Sequence, residues 1–147
     1  MLRAERTEVL EASPEQLWAI IGGVADYPEW NSFFSSVDVR ENDEQGRVAL
    51  AACRHDASVM VLKTELRFEY VDGISVTASG KGNDLRSMIG SFALESASGG
   101  TAVTHVLHVE PGLKLGLLLR GPVEDRVRQS LLNRAFAGLR ERVAASA

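Results

Sequence analysis

The spacing of hydrophobic positions divides this chain into three regimes. Residues 2–11 alternate only moderately and predict a first strand. A helix start follows. Ser13 can cap, Pro14 suits the first helical position, and Gln16 lies three residues after Ser13, as a capping box requires. Leu17, Ile20 and Ile21 recur at helical spacing, and Gly22-Gly23 ends the run. Pro28 disfavours a helical conformation at Tyr27, so 24–31 reads as a turn or a second brief helix.

From Phe34 to Val109 the period becomes two. The pattern predicts strands over 34–40, 47–54, 59–70, 74–80, 85–95 and 101–110, joined by turns at 42–46, His55-Asp56, 71–73, 81–84 and 96–100. The third of these alternates best. Met60, Leu62, Thr64, Leu66, Phe68 and Tyr70 share one face, with Lys63, Glu65, Arg67 and Glu69 opposite, which is the pattern of a half-buried antiparallel strand. Short connections between six consecutive strands imply a meander. Pro111-Gly112 closes the sheet, Leu113–Leu119 is an apolar turn or two, and Gly121-Pro122 interrupts it. From Val123 to Val143 helical spacing returns, with Val127, Leu131, Leu132, Ala135, Phe136, Leu139 and Val143 in one wide stripe. A long amphipathic helix and a curved sheet can each bury the other's apolar side.

Composition narrows this further. The 147 residues, 45% hydrophobic and 24% charged, fit one soluble domain spanning 1–147. No apolar run approaches the roughly 20 residues that cross a bilayer, so no stable membrane insertion is expected. The N-terminus has no apolar signal region and Cys53 is the single cysteine, so a cytoplasmic location is expected. The net charge of -4 argues against nucleic acid as a partner. Six arginines of the C-terminal third alternate with Glu124, Asp125 and Glu141 and read as a solvated helix face.

Two local stretches carry a resemblance. Ser13-Pro14-Glu15-Gln16-Leu17-Trp18 and Asp26-Tyr27-Pro28-Glu29-Trp30-Asn31, followed by the strands and the final helix, resemble the START-like or Bet v 1-like (SRPBCC) superfamily. Its bacterial members include polyketide cyclase/dehydrase-like and coenzyme-Q-binding proteins. The resemblance covers essentially the whole chain. It implies an α+β helix-grip fold: a seven-stranded antiparallel sheet wrapped around a long C-terminal helix, with two small helices between strands 1 and 2. It also implies a cavity between sheet and helix for a lipid, quinone or polyketide-like molecule. Tyr27 and Trp30 would then line or lid the cavity mouth, or Trp30 would plug the end of the core.

Candidate chemistry is sparse. His105 shares a face with Val103, Leu107 and Val109, so it is a polar cavity group or a satisfied core residue. On the next-to-last strand Arg86, Met88, Gly90, Phe92 and Leu94 form the larger, more apolar set and are taken as inward. Arg86 would then hold a ligand carboxylate or enolate, or else reach solvent from the rim. Thr64 and Tyr70 are further inward polar candidates. No spacing suggests a metal site and no phosphate-binding pattern is present, so no cofactor is expected. Three readings follow. The first is a binding module for one hydrophobic or amphipathic small molecule, walled by Met60, Leu62, Leu66, Phe68, Met88, Phe92, Leu131 and Phe136, with a pocket of roughly 300–1,000 Å³. The second is a cyclase or aromatase in which Arg86, Tyr70 and His105 polarise a carbonyl or move a proton. The third is a docking role for Leu113–Leu119, most simply core or homodimer contact.

Overall fold

The computed structural model describes residues 1–146. Strand β1 (Leu2–Leu10) leads into helix α1 (Pro14–Ile21) and a 3₁₀ helix (Val24–Glu29). Six strands follow: β2 (Phe34–Asn42), β3 (Val48–Asp56), β4 (Val61–Val71), β5 (Ser75–Gly82), β6 (Leu85–Ala97) and β7 (Gly100–Pro111). The short helix α2 (Leu113–Leu118) and the long helix α3 (Pro122–Ala145) complete the chain. All seven strands form one antiparallel sheet, in the order β1-β7-β6-β5-β4-β3-β2. This is the helix-grip arrangement that the family resemblance implied.

Local chemistry sets the elements. The capping box forms: the Gln16 N–H donates to Ser13 Oγ and the Ser13 N–H to Gln16 Oε1, each at 3.1 Å. These bonds satisfy two of the donors a helix start leaves open. In β4, Leu62, Thr64, Leu66 and Phe68 are buried and their sequence neighbours exposed, as alternation requires. The buried stripe of α3 runs Val127, Leu131, Leu132, Ala135, Phe136, Leu139, and Gly138 belongs to it too. There the helix meets the chain so closely that a Cβ at Gly138 would lie 1.6 Å from the Trp30 carbonyl oxygen. Only glycine permits that approach.

The arginines on α3 are more than a solvated face. Arg128 donates to the Arg3 carbonyl at 2.7 Å, tying the helix to β1. Arg134 donates to the Ser32 hydroxyl at 2.8 Å and the Ser32 carbonyl at 2.7 Å, and sits 3.6 Å from Asp56. The helix is therefore fastened to the β1 edge at one place and to the turn before β2 and the end of β3 at another. Asp84, expected only to turn the chain, also accepts the backbone N–H groups of Lys114 and Leu115 and so anchors the start of α2.

Three expectations are corrected. His55 lies inside β3, fully buried, because the strand runs on to Asp56. Met60 lies ahead of β4, half-buried, because the strand starts at Val61. Arg86 faces outward, with its side chain 76% exposed and Glu110 4.0 Å away. The cause is a bulge. Leu85 pairs with Pro111 and Ser87 with Glu110, which leaves Arg86 as the extra residue. From Met88 onward the alternation is as expected, while Leu85 takes the inward place at the strand's start.

Candidate functional site

Between the sheet and the 3₁₀ segment lies a cavity of about 30 Å³, room for one or two waters. The 3₁₀ helix and the turn after it supply Tyr27, Asn31 and Phe33, and β2 supplies Phe34. Leu66 and Phe68 come from β4, Val76 and Ala78 from β5, Met88, Gly90, Ser91 and Phe92 from β6, and His105 and Leu107 from β7. An open pocket of several hundred cubic ångströms is thus not what the interior holds; aromatic rings fill it. Tyr27 meets Trp30, Phe34 and Phe92 edge to face at 5.1, 5.2 and 6.1 Å between centroids. Its hydroxyl donates to the Ile21 carbonyl at 2.5 Å, and burial pushes its pKa well above the ordinary phenol value.

Beyond Tyr27, whose hydroxyl is already bonded, and Ser91, whose carbonyl is engaged by His105, the polar residues lining this cavity are His105 and Asn31. His105 stacks on Phe92 at 4.2 Å, nearly parallel, and its Nδ1 lies 3.0 Å from the Ser91 carbonyl. A carbonyl can only accept, so Nδ1 carries the proton and Nε2 keeps a free lone pair. No described residue makes a hydrogen bond to Nε2. Burial lowers the His105 pKa to about 4, so the ring is neutral at pH 7. Asn31 is 1% exposed, and its Oδ1 accepts the Phe33 N–H at 3.1 Å. That bond orients the amide and leaves its NH₂ as a donor. The cavity thus holds one acceptor and one donor in an otherwise apolar wall.

A second void, of about 10 Å³, lies under α2, bounded by Leu2, Ala57, Leu62, Val109 and Leu115, with Leu119, Val127 and Leu131 closing the far side. Phe33 borders both voids. Its ring stacks on His55 at 4.5 Å, and Phe34 meets the same imidazole at 4.8 Å. His55 Nε2 is 2.7 Å from Thr64 Oγ1, while Nδ1 is buried with no partner among the described residues. Burial drives the His55 pKa down to about 3. The Cys53 thiol, also buried, is pushed up to about 12, so it is an inert thiol rather than a nucleophile.

The remaining candidates scatter. Leu66, Phe68, Met88, Phe92, His105 and Tyr27 do line the larger cavity, and Leu62 and Leu131 the smaller. Phe136 is buried behind His105, 6.5 Å from it, without lining either. Tyr70 sits at the strand end. There its hydroxyl donates to the Val48 carbonyl at 2.6 Å, and Arg47 covers its ring at 4.5 Å. Trp30 packs behind Tyr27 and Phe92 and faces an outer groove with Arg142, so it is a plug in the core's end rather than a lining residue. Its Nε1 is buried and has no partner among the described residues. Sequence reasoning passed over Asn31, Phe33, Phe34 and His55. The one signal was proximity: three of them directly follow the Tyr27–Trp30 stretch.

The sequence profile of the family described as polyketide cyclase / dehydrase and lipid transport matches residues 10–136. The chain belongs to that family. Solved structures share its fold throughout. A START superfamily protein from Mycobacterium smegmatis superposes with a TM-score of 0.84 at 17% identity, over 100% of both chains. A protein from Thermus thermophilus reaches 0.81 at 19%, over 99% of both. The ZhuI aromatase/cyclase from a Streptomyces species reaches 0.66 at 13%, over 98% of this chain and 92% of its own. No curated protein matches the chain. At these identities the family's shared feature is the grip itself, and in this member the grip closes on a small void beside His105.

Proposed function

We propose that this protein binds a hydrophobic or amphipathic small molecule between the sheet and α3. The observation that carries the reading is the unused polar pair: an Asn31 donor and a His105 acceptor at an apolar cavity. A ligand oxygen that meets both groups gains hydrogen bonds of roughly 0.5–1.5 kcal/mol net each, and apolar contact adds about 25 cal/mol per Å² buried. The ligand makes its own room by displacing aromatic side chains. The family description, which joins cyclase and dehydrase activity to lipid transport, supports the same kind of cargo.

The cyclase reading is weaker here. Of its three groups only His105 borders the cavity, since Arg86 is outside and Tyr70 is bonded at the sheet's end. The test is native mass spectrometry on freshly purified protein, followed by analysis of anything released on unfolding. The expected result is a discrete adduct lost with the fold. A bare mass, together with no saturable change in the His105 ring resonances across a series of short alkanols, would refute the reading.

A further inference from the structure

We infer that the two internal voids are the ends of one channel partitioned by the Phe33 ring, and that its ligand is an elongated molecule with a neutral oxygen-bearing head. The head sits at Asn31 and His105, and the tail passes Phe33 to reach the space under α2. This rests on the ligand-binding reading and adds the ligand's class and shape to it.

Four observations meet at Phe33. Among the described residues, Phe33 alone borders both voids. Its backbone is held on both sides: the N–H donates to Asn31 Oδ1 at 3.1 Å and the carbonyl accepts from Asp56 at 2.9 Å. Motion there is therefore rotation of the ring rather than opening of the loop. The ring covers His55, whose Nδ1 has no partner among the described residues. Swinging it aside uncovers that nitrogen to a ligand or a water, which offsets part of the packing lost. The space beyond is bounded by aliphatic groups alone apart from Phe33, which suits an alkyl tail.

The head is neutral because neither void is bordered by Lys, Arg, Asp or Glu. A carboxylate brought there loses its hydration and finds no counter-ion. The available partners are an amide NH₂ and an imidazole lone pair, which between them satisfy a hydroxyl.

The test uses hexanol, decanol and decanoate with the wild-type chain, Phe33→Ala and Phe33→Leu, read by methyl and ring NMR shifts at pH 7.5. Both alkanols should move the His105 ring signals, and decanol alone should also move the Leu115 and Leu119 methyls. Phe33→Ala should bind decanol at least tenfold tighter while hexanol affinity changes less than threefold. Decanoate should bind at least tenfold more weakly than decanol. If Phe33→Ala does not fold, Phe33→Leu should show the same selectivity in smaller measure. Hexanol bound at His105 with decanol never reaching Leu115 or Leu119 would overturn the channel and leave the ligand-binding reading standing. Decanoate binding as tightly as decanol would overturn the neutral head. No binding of either alkanol to any variant would overturn both readings.

Discussion

Two buried imidazoles should make this fold acid-sensitive well above the carboxylate range. His55 is fully buried and His105 is 7% exposed. Burial depresses both, to about 3 and about 4, because desolvation penalises the charged ring. In the unfolded chain each returns to about 6.5. The unfolded state then binds more protons, so stability rises with pH. Each contribution is complete above pH 6.5 and is lost as pH falls toward the folded-state value. At pH 5.0 the chain sits 1.5 units below the unfolded value and still above both folded ones. At ~1.4 kcal/mol per unit, each histidine costs about 2 kcal/mol there, about 4 together. Against a typical 5–15 kcal/mol total that is a large share. Urea unfolding followed by tryptophan fluorescence at pH 7.5 and 5.0 measures the difference directly. His105→Phe, which keeps the stack on Phe92, should retain about half of it. Equal midpoints at the two pH values, or a full difference in His105→Phe, would refute the argument.

Other perturbations test the packing and the site. Gly138→Ala, stabilising by up to ~1 kcal/mol in an ordinary helix interior, should instead destabilise by ~1–3 kcal/mol, because its methyl meets the Trp30 carbonyl; calorimetric melting decides the sign. Trp30→Ala should cost ~3–5 kcal/mol in chemical denaturation, whereas Trp30→Phe should cost far less, since it also removes the unpaired Nε1. A Cβ at Gly90 would stand 3.5 Å from the Leu107 side chain, an ordinary contact, so Gly90→Ala should melt within a few degrees of wild type. Its methyl occupies the cavity, so hexanol affinity by the same NMR titration should fall severalfold.

How much of this was legible follows from where each signal resides. The capping box, the alternation of β4 and the stripe of α3 are local patterns, and each formed as read. The inward set of β7 was also right, because nothing interrupts its register from Thr101 to Val109. Arg86 was misplaced because one extra residue near the start of β6 shifts which positions face inward, and no local pattern marks a bulge. His55 was missed because a His-Asp pair resembles a turn, while pairing with Phe34 and Leu62 holds it in a strand.

The sequence by itself determined the elements, their order and the apolar faces they must bury, because periodicity and caps act over a few residues. Tertiary structure decided the rest. Whether the grip encloses space depends on how Tyr27, Phe33, Phe34 and Phe92, far apart in the chain, fill the volume between sheet and helix. Which histidine nitrogen is left free depends on a carbonyl one strand away. Packing volume and hydrogen-bond partnership are properties of the assembled interior, and no stretch of sequence contains them.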